Sequence, residues 1–493
     1  MNPITKLIHK AQHSFFLFGL ASILWFIFRT GSKPTRMSYP CQQASAASGS
    51  LWIAAYVLPF IMTVSSPGKL VGRRRMALAG FLLLLFVSFS VLFGSTNLMI
   101  LSGATGDDTA GVGRGGTIVI NLTQMRSQFP EPSEIYAVTG TKGNDDAMER
   151  LIEAMNSHGL PFYAQNASFG IIEKDDVVII KVNSQWNERG GTNSDLVKLL
   201  VRAILNHPQG FAGEVIIADN GQGQYGSTGN GGSLSYDRNN AEDIAQSMQA
   251  VADYFPDQKV STYLWDKITN KKVGEYADGD MADGYILASQ PDAQTGIAVS
   301  YPKFQTKYGT YISFKQGVWD AVNGSYDSRR LKMLNVPVLK THAIYGVTAC
   351  IKHYMGVVSD RLSREAGGRA HSSVGSGGMG TEMTQTRFPD LNILDAIWIN
   401  ANPRGGPSTS YGEADQACII AASVDPVALD YWAAKNILMP AARQKGYDDL
   451  ESMDPDNTSP GSFGDWLRLS SAEIEQAGHQ ATVSEKNMNV ILA

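Results

Sequence analysis

The sequence predicts an α/β fold: a parallel or mixed sheet covered by helices, preceded by N-terminal transmembrane helices. Three observations predict it. After residue 117, short β-branched runs alternate with segments of helical period. Before residue 107 there is no Asp or Glu, and three charge-free apolar runs occur there. A Gly-, Ser-, Asp- and Thr-rich linker, 96–116, divides the two compositions. The expected organisation is a membrane region over 1–95 with one to three spans, that linker, and an exported α/β domain over 117–493 with an insertion around 221–325.

The apolar runs are AQHSFFLFGLASILWFIF (Ala11 to Phe28), LWIAAYVLPFIMTV (Leu51 to Val64) and MALAGFLLLLFVSFSVLFG (Met76 to Gly94). The third is long enough to span a bilayer, the first is marginal and the second is short. Arg73, Arg74 and Arg75 directly precede the third run, and no basic residue follows it until Arg114. The positive-inside tendency therefore keeps the arginines in the cytoplasm and places everything after residue 95 on the extracytoplasmic side. With three spans, Arg29, Lys33 and Arg36 fall on the outer side, which opposes that count. A second reading takes the arginines and the third run as a twin-arginine export signal with a long leader. Either way the bulk of the chain is exported, and the lipid bilayer is an expected partner.

From Asp107 onward, 32 Lys and Arg stand against 46 Asp and Glu, a formal charge of −14. That acidity argues against a nucleic-acid partner. Cys41, Cys350 and Cys418 are far apart and form no C-x-x-C, so there is no zinc, haem or iron-sulfur cluster motif. No cofactor is identified.

The strand candidates are TIVINL (Thr117 to Leu122), EIYAVTG (Glu134 to Gly140), VVIIKVN (Val177 to Asn183), EVIIADN (Glu214 to Asn220), MLNVPVLK (Met333 to Lys340) and ACIIAAS (Ala417 to Ser423). Pro337 cannot donate to a ladder, so its strand is at an edge or irregular there. Helices are expected over Asp145 to His158, Asp195 to His207 behind the capping pair Asn193-Ser194, Asn239 to Tyr254, and Pro426 to Leu438. Gly221 to Asn240 and Gly367 to Gly380 read as loops long enough to be functional, the second carrying Arg369 and His371. Tyr263 to Tyr311, rich in Tyr and Asp, reads as an insertion with β-rich character.

The chemistry concentrates in LKTHAIYGVTACIKHYMG (Leu339 to Gly356), where two lysines and two histidines resist burial in an apolar setting. VVIIKVN ends in Lys181 and Asn183, MLNVPVLK ends in Lys340, Thr341 and His342, and ligands bind at the carboxyl ends of strands in open α/β sheets. A helix after His342 would place Ala349, Lys352, His353 and Gly356 on a small-residue face, with free N–H groups near 346–348 turned toward His342. Taken singly, each of these residues is an ordinary edge, turn or surface residue; together they fit a pocket for an anionic small molecule, a carboxylate or phosphate. Metal ligation by His342, His353 and Asp219 lacks a recognised spacing, and no metal is assigned. In NPRGGPSTSYG, Arg404 is either an anion contact or a surface arginine, and IIADNGQGQYG is a plain glycine-rich turn.

VVIIKVN, VIIADNG, VPVLKTH with KHYMG ten residues later, DLNILDAIWI and SVDPVALD resemble, in that order, the uncharacterised domain-of-unknown-function family numbered 362. This chain has Lys181-Val182-Asn183 where relatives have K-P-N, and Lys352-His353 where they commonly have K-N. It also lacks the cysteine-rich iron-sulfur segment of many relatives, so the resemblance does not extend to electron transfer through a cluster. The resemblance implies signature positions at Lys181, Asn183, Lys340, Thr341, His342, Lys352, Ser423, Asp425 and Asp430. Asp425 before Pro426 reads as an N-cap. Asp430 faces either the pocket or solvent. His342 is the expected acid/base group, since imidazole exchanges protons near neutral pH. Lys340 and Lys352 are expected to hold the anion, with Lys181, Asn183, Thr341, His353, Ser423 and Asp430 as further binding residues. Three functions are consistent with these expectations: an acid/base enzyme, a non-catalytic binding or sensory module, and a redox protein using a partner's cofactor.

Overall fold

A computed structural model of the chain describes residues 132–165, 169–222 and 232–493. The three apolar runs, the linker and the strand expected at Thr117 to Leu122 lie outside these residues, as does much of the glycine-rich segment after Gly221. Among the described residues no helix is long and apolar enough to cross a membrane.

The fold is mixed α/β, as expected. A ten-stranded sheet contains β1 (Ser133–Thr139), β2 (Val177–Lys181), β3 (Glu214–Asp219) and β4 (Val260–Leu264). Five short strands form a separate antiparallel sheet: β5 (Gly284–Leu287), β6 (Ser300–Gln305), β7 (Tyr311–Ser313), β8 (Gly317–Asp320) and β9 (Ser325–Asp327). The chain then returns to the large sheet as β10 (Leu331–Asn335), β11 (Val338–His342), β12 (Gly346–Thr348), β13 (Leu391–Asn400), β14 (Asp415–Ser423) and β15 (Met488–Leu492). The order across it is β15-β1-β14-β13-β10-β2-β3-β4, with the β11–β12 hairpin branching from β13. From β13 through β10, β2 and β3 to β4 all pairs are parallel, whereas β14 is antiparallel to both its neighbours.

The central strands are continuous apolar runs because both their faces are covered. Val178, Ile180, Val215 and Ile217 pack under α1 (Ala147–Ser157), α2 (Ser194–Leu205) and α3 (Met248–Asp253). Val177, Ile179, Ile216 and Ala218 face a second core. That core holds Tyr285 and Ile312 of the small sheet with Phe314 just after β7, then Cys350, Ile351, Tyr354, Met355, Val357 and Val358, and residues of α5 (Gly378–Gln385), which follows α4 (Asp360–Glu365). It also holds residues of α6 (Pro426–Ala433), α7 (Met439–Gln444) and α8 (Phe463–Gln476). Strand parity puts Lys181 on this second face, two residues beyond Ile179.

Several expectations are corrected. MLNVPVLK is two strands rather than one: β10 ends at Asn335, Val336-Pro337 breaks the ladder, and β11 continues against β13 with an irregular register between Val338 and Lys340. There is no helix at 346–348. Thr341 pairs with Val347 and His342 with Gly346 in an antiparallel hairpin, and only a 3₁₀ turn, Lys352–Gly356, follows. The helix expected from Asn239 is confined to α3, starting behind the Ser247 cap. The Gly367 to Gly380 segment folds into a 3₁₀ helix, His371–Ser376, and the start of α5. DLNILDAIWI, not anticipated as a strand, is the long β13. The α2 cap stands as expected, Asn193 accepting a hydrogen bond from the Leu196 amide.

Candidate functional site

After β2 the chain moves outward through β3 to β4, and after the small sheet it returns to the other side of β2 as β10. The carboxyl ends of β2 and β10 therefore flank a topological switch point, where the crevice of an open α/β sheet opens. Lys181 and Asn335 are paired across it. A cavity of about 50 Å3 lies there, room for a few waters or one carboxylate-sized group. Lys181, Asn183, Lys340, His342, Lys352 and His353 all line it, together with Asp219, Thr348, Gly356 and His371. Residues 159 positions apart in the chain thus meet at one recess, because β2 and the β10–β11 segment end on the same side of the sheet.

The three lysines are not equivalent. Lys181, fully buried, pairs with Asp219 at 2.8 Å, and the other Asp219 oxygen accepts from the Ser184 amide at 2.7 Å. Desolvation dominates both groups: it lowers the Lys181 pKa and raises that of Asp219 to about 6, the pair's mutual attraction opposing each shift. The pair passes directly over Gly356. A Cβ there would come within 2.9 Å of Lys181 Cε and nearer still to Lys181 Nζ and Asp219 Oδ1. The small residue after KHYM is thus required by the close approach of this ion pair.

Lys340, also buried, donates to the Gly190 carbonyl oxygen, and burial followed by the Lys352 charge holds its pKa well below the usual lysine range. Lys352 differs from both. It is 6 % exposed and makes no hydrogen bond or ion pair among the described residues; its amine stands 5.4 Å from the centroid of the Tyr345 ring. Desolvation lowers its pKa to about 7.

His342 does not fit the acid/base role expected of it. Its Nδ1 accepts from the amides of Ile344 and Tyr345 at 3.2 and 3.3 Å, which leaves the proton on Nε2. Desolvation, then Lys352, His371 and Lys340, push its pKa down to about 2, so it is a neutral donor near pH 7. His353 is held neutral in the same way, chiefly by burial, with Nδ1 2.7 Å from Asn335 Oδ1. His371, from the glycine-rich segment, packs against Tyr345 at 5.1 Å between centroids, and burial with the Lys352 charge lowers its pKa to about 4.

Three expected residues lie away from the cavity. Thr341 donates to the Asn402 carbonyl at 2.7 Å. Ser423 donates to the Glu134 carbonyl at 2.7 Å and accepts from the Asp425 amide. Asp430 faces neither pocket nor solvent: it is fully buried and accepts from the amides of Cys350 and Ile351 at 2.7 and 3.0 Å. Asp425 is an N-cap, receiving the Val427 and Ala428 amides at 2.9 Å. Arg404 is a surface arginine with an 85 % exposed side chain, whereas Pro407 of the same loop lines the cavity.

Sequence reasoning missed Gln185, Trp186, Gln222 and Thr348, which complete the lining. Asp219 was visible at the end of its strand, yet its part as the counter-ion of Lys181 was not. Three polar atoms of the lining, Asn183 Oδ1, Thr348 Oγ1 and His353 Nε2, are buried and make no hydrogen bond among the described residues. Buried polar groups are nearly always partnered, so these atoms beside three lysines are exceptions to the rule. Among the described residues no group of three or more His, Cys, Asp or Glu is arranged to hold a metal ion.

No curated protein and no solved structure matches the chain. A family model does match residues 330–435, a stretch holding Lys340, His342, Lys352, His353, Ser423, Asp425 and Asp430. Lys181 and Asp219 reach the cavity from outside it. The chain resembles, over that stretch, the family described as domain of unknown function, DUF362.

Proposed function

We propose that the chain is a membrane-anchored, extracytoplasmic protein whose Lys/His cavity binds an anionic small molecule and performs acid/base chemistry on it. The observation that carries the binding reading is the meeting of Lys181, Lys340 and Lys352 around a recess with a single carboxylate, Asp219, in its lining. With all four groups charged the site has two cations in excess, and an anion is the ligand that offsets their desolvation. The acid/base part is reassigned from His342 to Lys352, whose pKa of about 7 suits proton transfer near neutrality. His342 then acts as a neutral hydrogen-bond donor.

Calorimetric titration of the full-length protein in detergent with sulfate and with acetate tests the binding. At least one should bind with millimolar affinity or better, and Lys340→Met should weaken it about tenfold or more, in the range of a lost charge-assisted hydrogen bond. Absence of binding by both, or unchanged affinity in folded Lys340→Met, refutes the reading. The anchoring rests on Arg73 to Arg75 ahead of Met76 to Gly94. An alkaline phosphatase fusion after residue 100 should be active, and an inactive one overturns the export.

A further inference from the structure

Lysine side chains in one cavity ordinarily share one job, holding charge. Here two of the three are already engaged, Lys181 by Asp219 and Lys340 by the Gly190 carbonyl. The Lys352 amine has no polar partner among the described residues and stands over the Tyr345 ring, which packs against His342 and His371, both of the same lining. A desolvated amine near other cations is the arrangement that leaves a lysine lone pair free to attack. The neighbouring lysines and the unpartnered Thr348 hydroxyl supply what a carboxylate needs, and Asn183 Oδ1 supplies one acceptor.

We propose that Lys352 is a covalent catalytic residue that forms an imine with the carbonyl carbon of a small 2-oxo acid, whose carboxylate is held by Lys340 and Lys181. This rests on the anion-binding reading above and names its substrate class. The Lys352 nitrogen lone pair adds to the carbonyl carbon as the C=O π bond breaks, and one of the two amine protons passes to the oxygen to give a carbinolamine. The C–O bond then breaks as the nitrogen lone pair forms C=N, and the oxygen leaves as water with the second amine proton. One water is lost, no electrons are exchanged, and no oxidant or reductant is required. The Nε2–H of His342, fixed by the two amides on Nδ1, is the neutral donor of the lining for the departing oxygen. The small cavity favours acids of two or three carbons.

The full-length protein is incubated at pH 7 with glyoxylate or pyruvate, treated with sodium borohydride and analysed by peptide mass spectrometry. Reduction of the imine fixes one carboxymethyl group from glyoxylate, or one carboxyethyl group from pyruvate. At that pH about half of Lys352 is neutral, on the order of a thousandfold more than an ordinary surface lysine. The adduct should therefore accumulate on Lys352 at least tenfold above exposed Lys174, be suppressed by sulfate, and vanish in Lys352→Arg. Equal labelling of Lys352 and Lys174, or none at Lys352, overturns the proposal. Sulfate titration of the same preparation separates the two readings. Intact sulfate binding without an adduct removes the imine and leaves the anion site, whereas loss of both removes both.

Discussion

Lys352→Met should make the protein more stable, and by an amount that depends on pH in one direction only. The unfolded chain holds the Lys352 proton up to about pH 10.5, the folded chain only to about 7. Between those values the unfolded state binds more protons, so stability rises with pH there: the penalty of the buried amine is absent above 10.5, builds as pH falls from 10.5 to 7 and is complete below 7. Each factor of ten in the proton-binding constant is worth about 1.4 kcal/mol. The buried amine therefore costs about 4–5 kcal/mol at pH 6. Methionine fills the same volume with no charge to desolvate, so Lys352→Met should recover most of that amount, an increase in Tm of roughly 10 °C for a domain of this size.

Urea unfolding of wild type and variant across pH 6 to 10.5 measures it. The gap should be widest at or below pH 7 and close toward 10.5. Saturating sulfate should raise the folded-state pKa of the lysine and so stabilise the wild type more than the variant. By the same linkage, sulfate affinity should fall about tenfold per pH unit above 7. A gap that is absent at pH 6, or constant with pH, would show that the Lys352 amine is solvated and refute the reasoning for both its reactivity and its place in the cavity.

Three further substitutions separate the cavity from its surroundings. Gly356→Ala forces the Lys181–Asp219 pair apart and should cost about 2–4 kcal/mol in thermal unfolding, in the range of overpacking plus a damaged buried ion pair. Gly375→Ala, with nothing within 4 Å of the new methyl, should stay within about 0.5 kcal/mol. Ser423→Ala loses the hydrogen bond to the Glu134 carbonyl and should cost about 1–2 kcal/mol with sulfate affinity unchanged. A loss of affinity would place Ser423 in the site after all.

The elements legible in the sequence are those whose patterning is local. β2 and β3 read as strands because β-branched apolar runs, VVII and VII, close in a lysine or an aspartate near the tip, and α2 announces itself by Asn193 and the Leu196, Leu200, Ile204 stripe. The lysine-tipped strand ends were legible for the same reason, a charge closing a buried run. What failed was decided by pairing. Gly346 to Thr348 has the same composition as a helix start, but β11 supplies a partner and makes it a strand. Pro337 was read correctly as an interruption, yet only the register against β13 shows that the chain resumes as a second strand. Asp430 could not be assigned, because its partners, the amides of Cys350 and Ile351, lie 80 positions away in the chain. The pKa of His342 was equally hidden, since burial in the recess sets it first, and Lys352 and His371 add to it from later parts of the chain, with Lys340 of its own strand.

The signature residues divide by what they touch, and the two groups are mechanically connected. Ser133 of β1 donates to Asp425 at 2.6 Å, Asp425 caps α6, and Asp430 on α6 receives the two amides that open the turn carrying Lys352 and His353. A lysine left without a polar partner in a desolvated recess would swing toward solvent if its backbone could follow. The Asp430 carboxylate, buried and bound to Cys350 and Ile351 immediately before Lys352, opposes that movement. If the Lys352 amine carries the cost worked out above, it is kept in place by a carboxylate that does not line the cavity, and such an arrangement suits the reactive site proposed above better than a packed core.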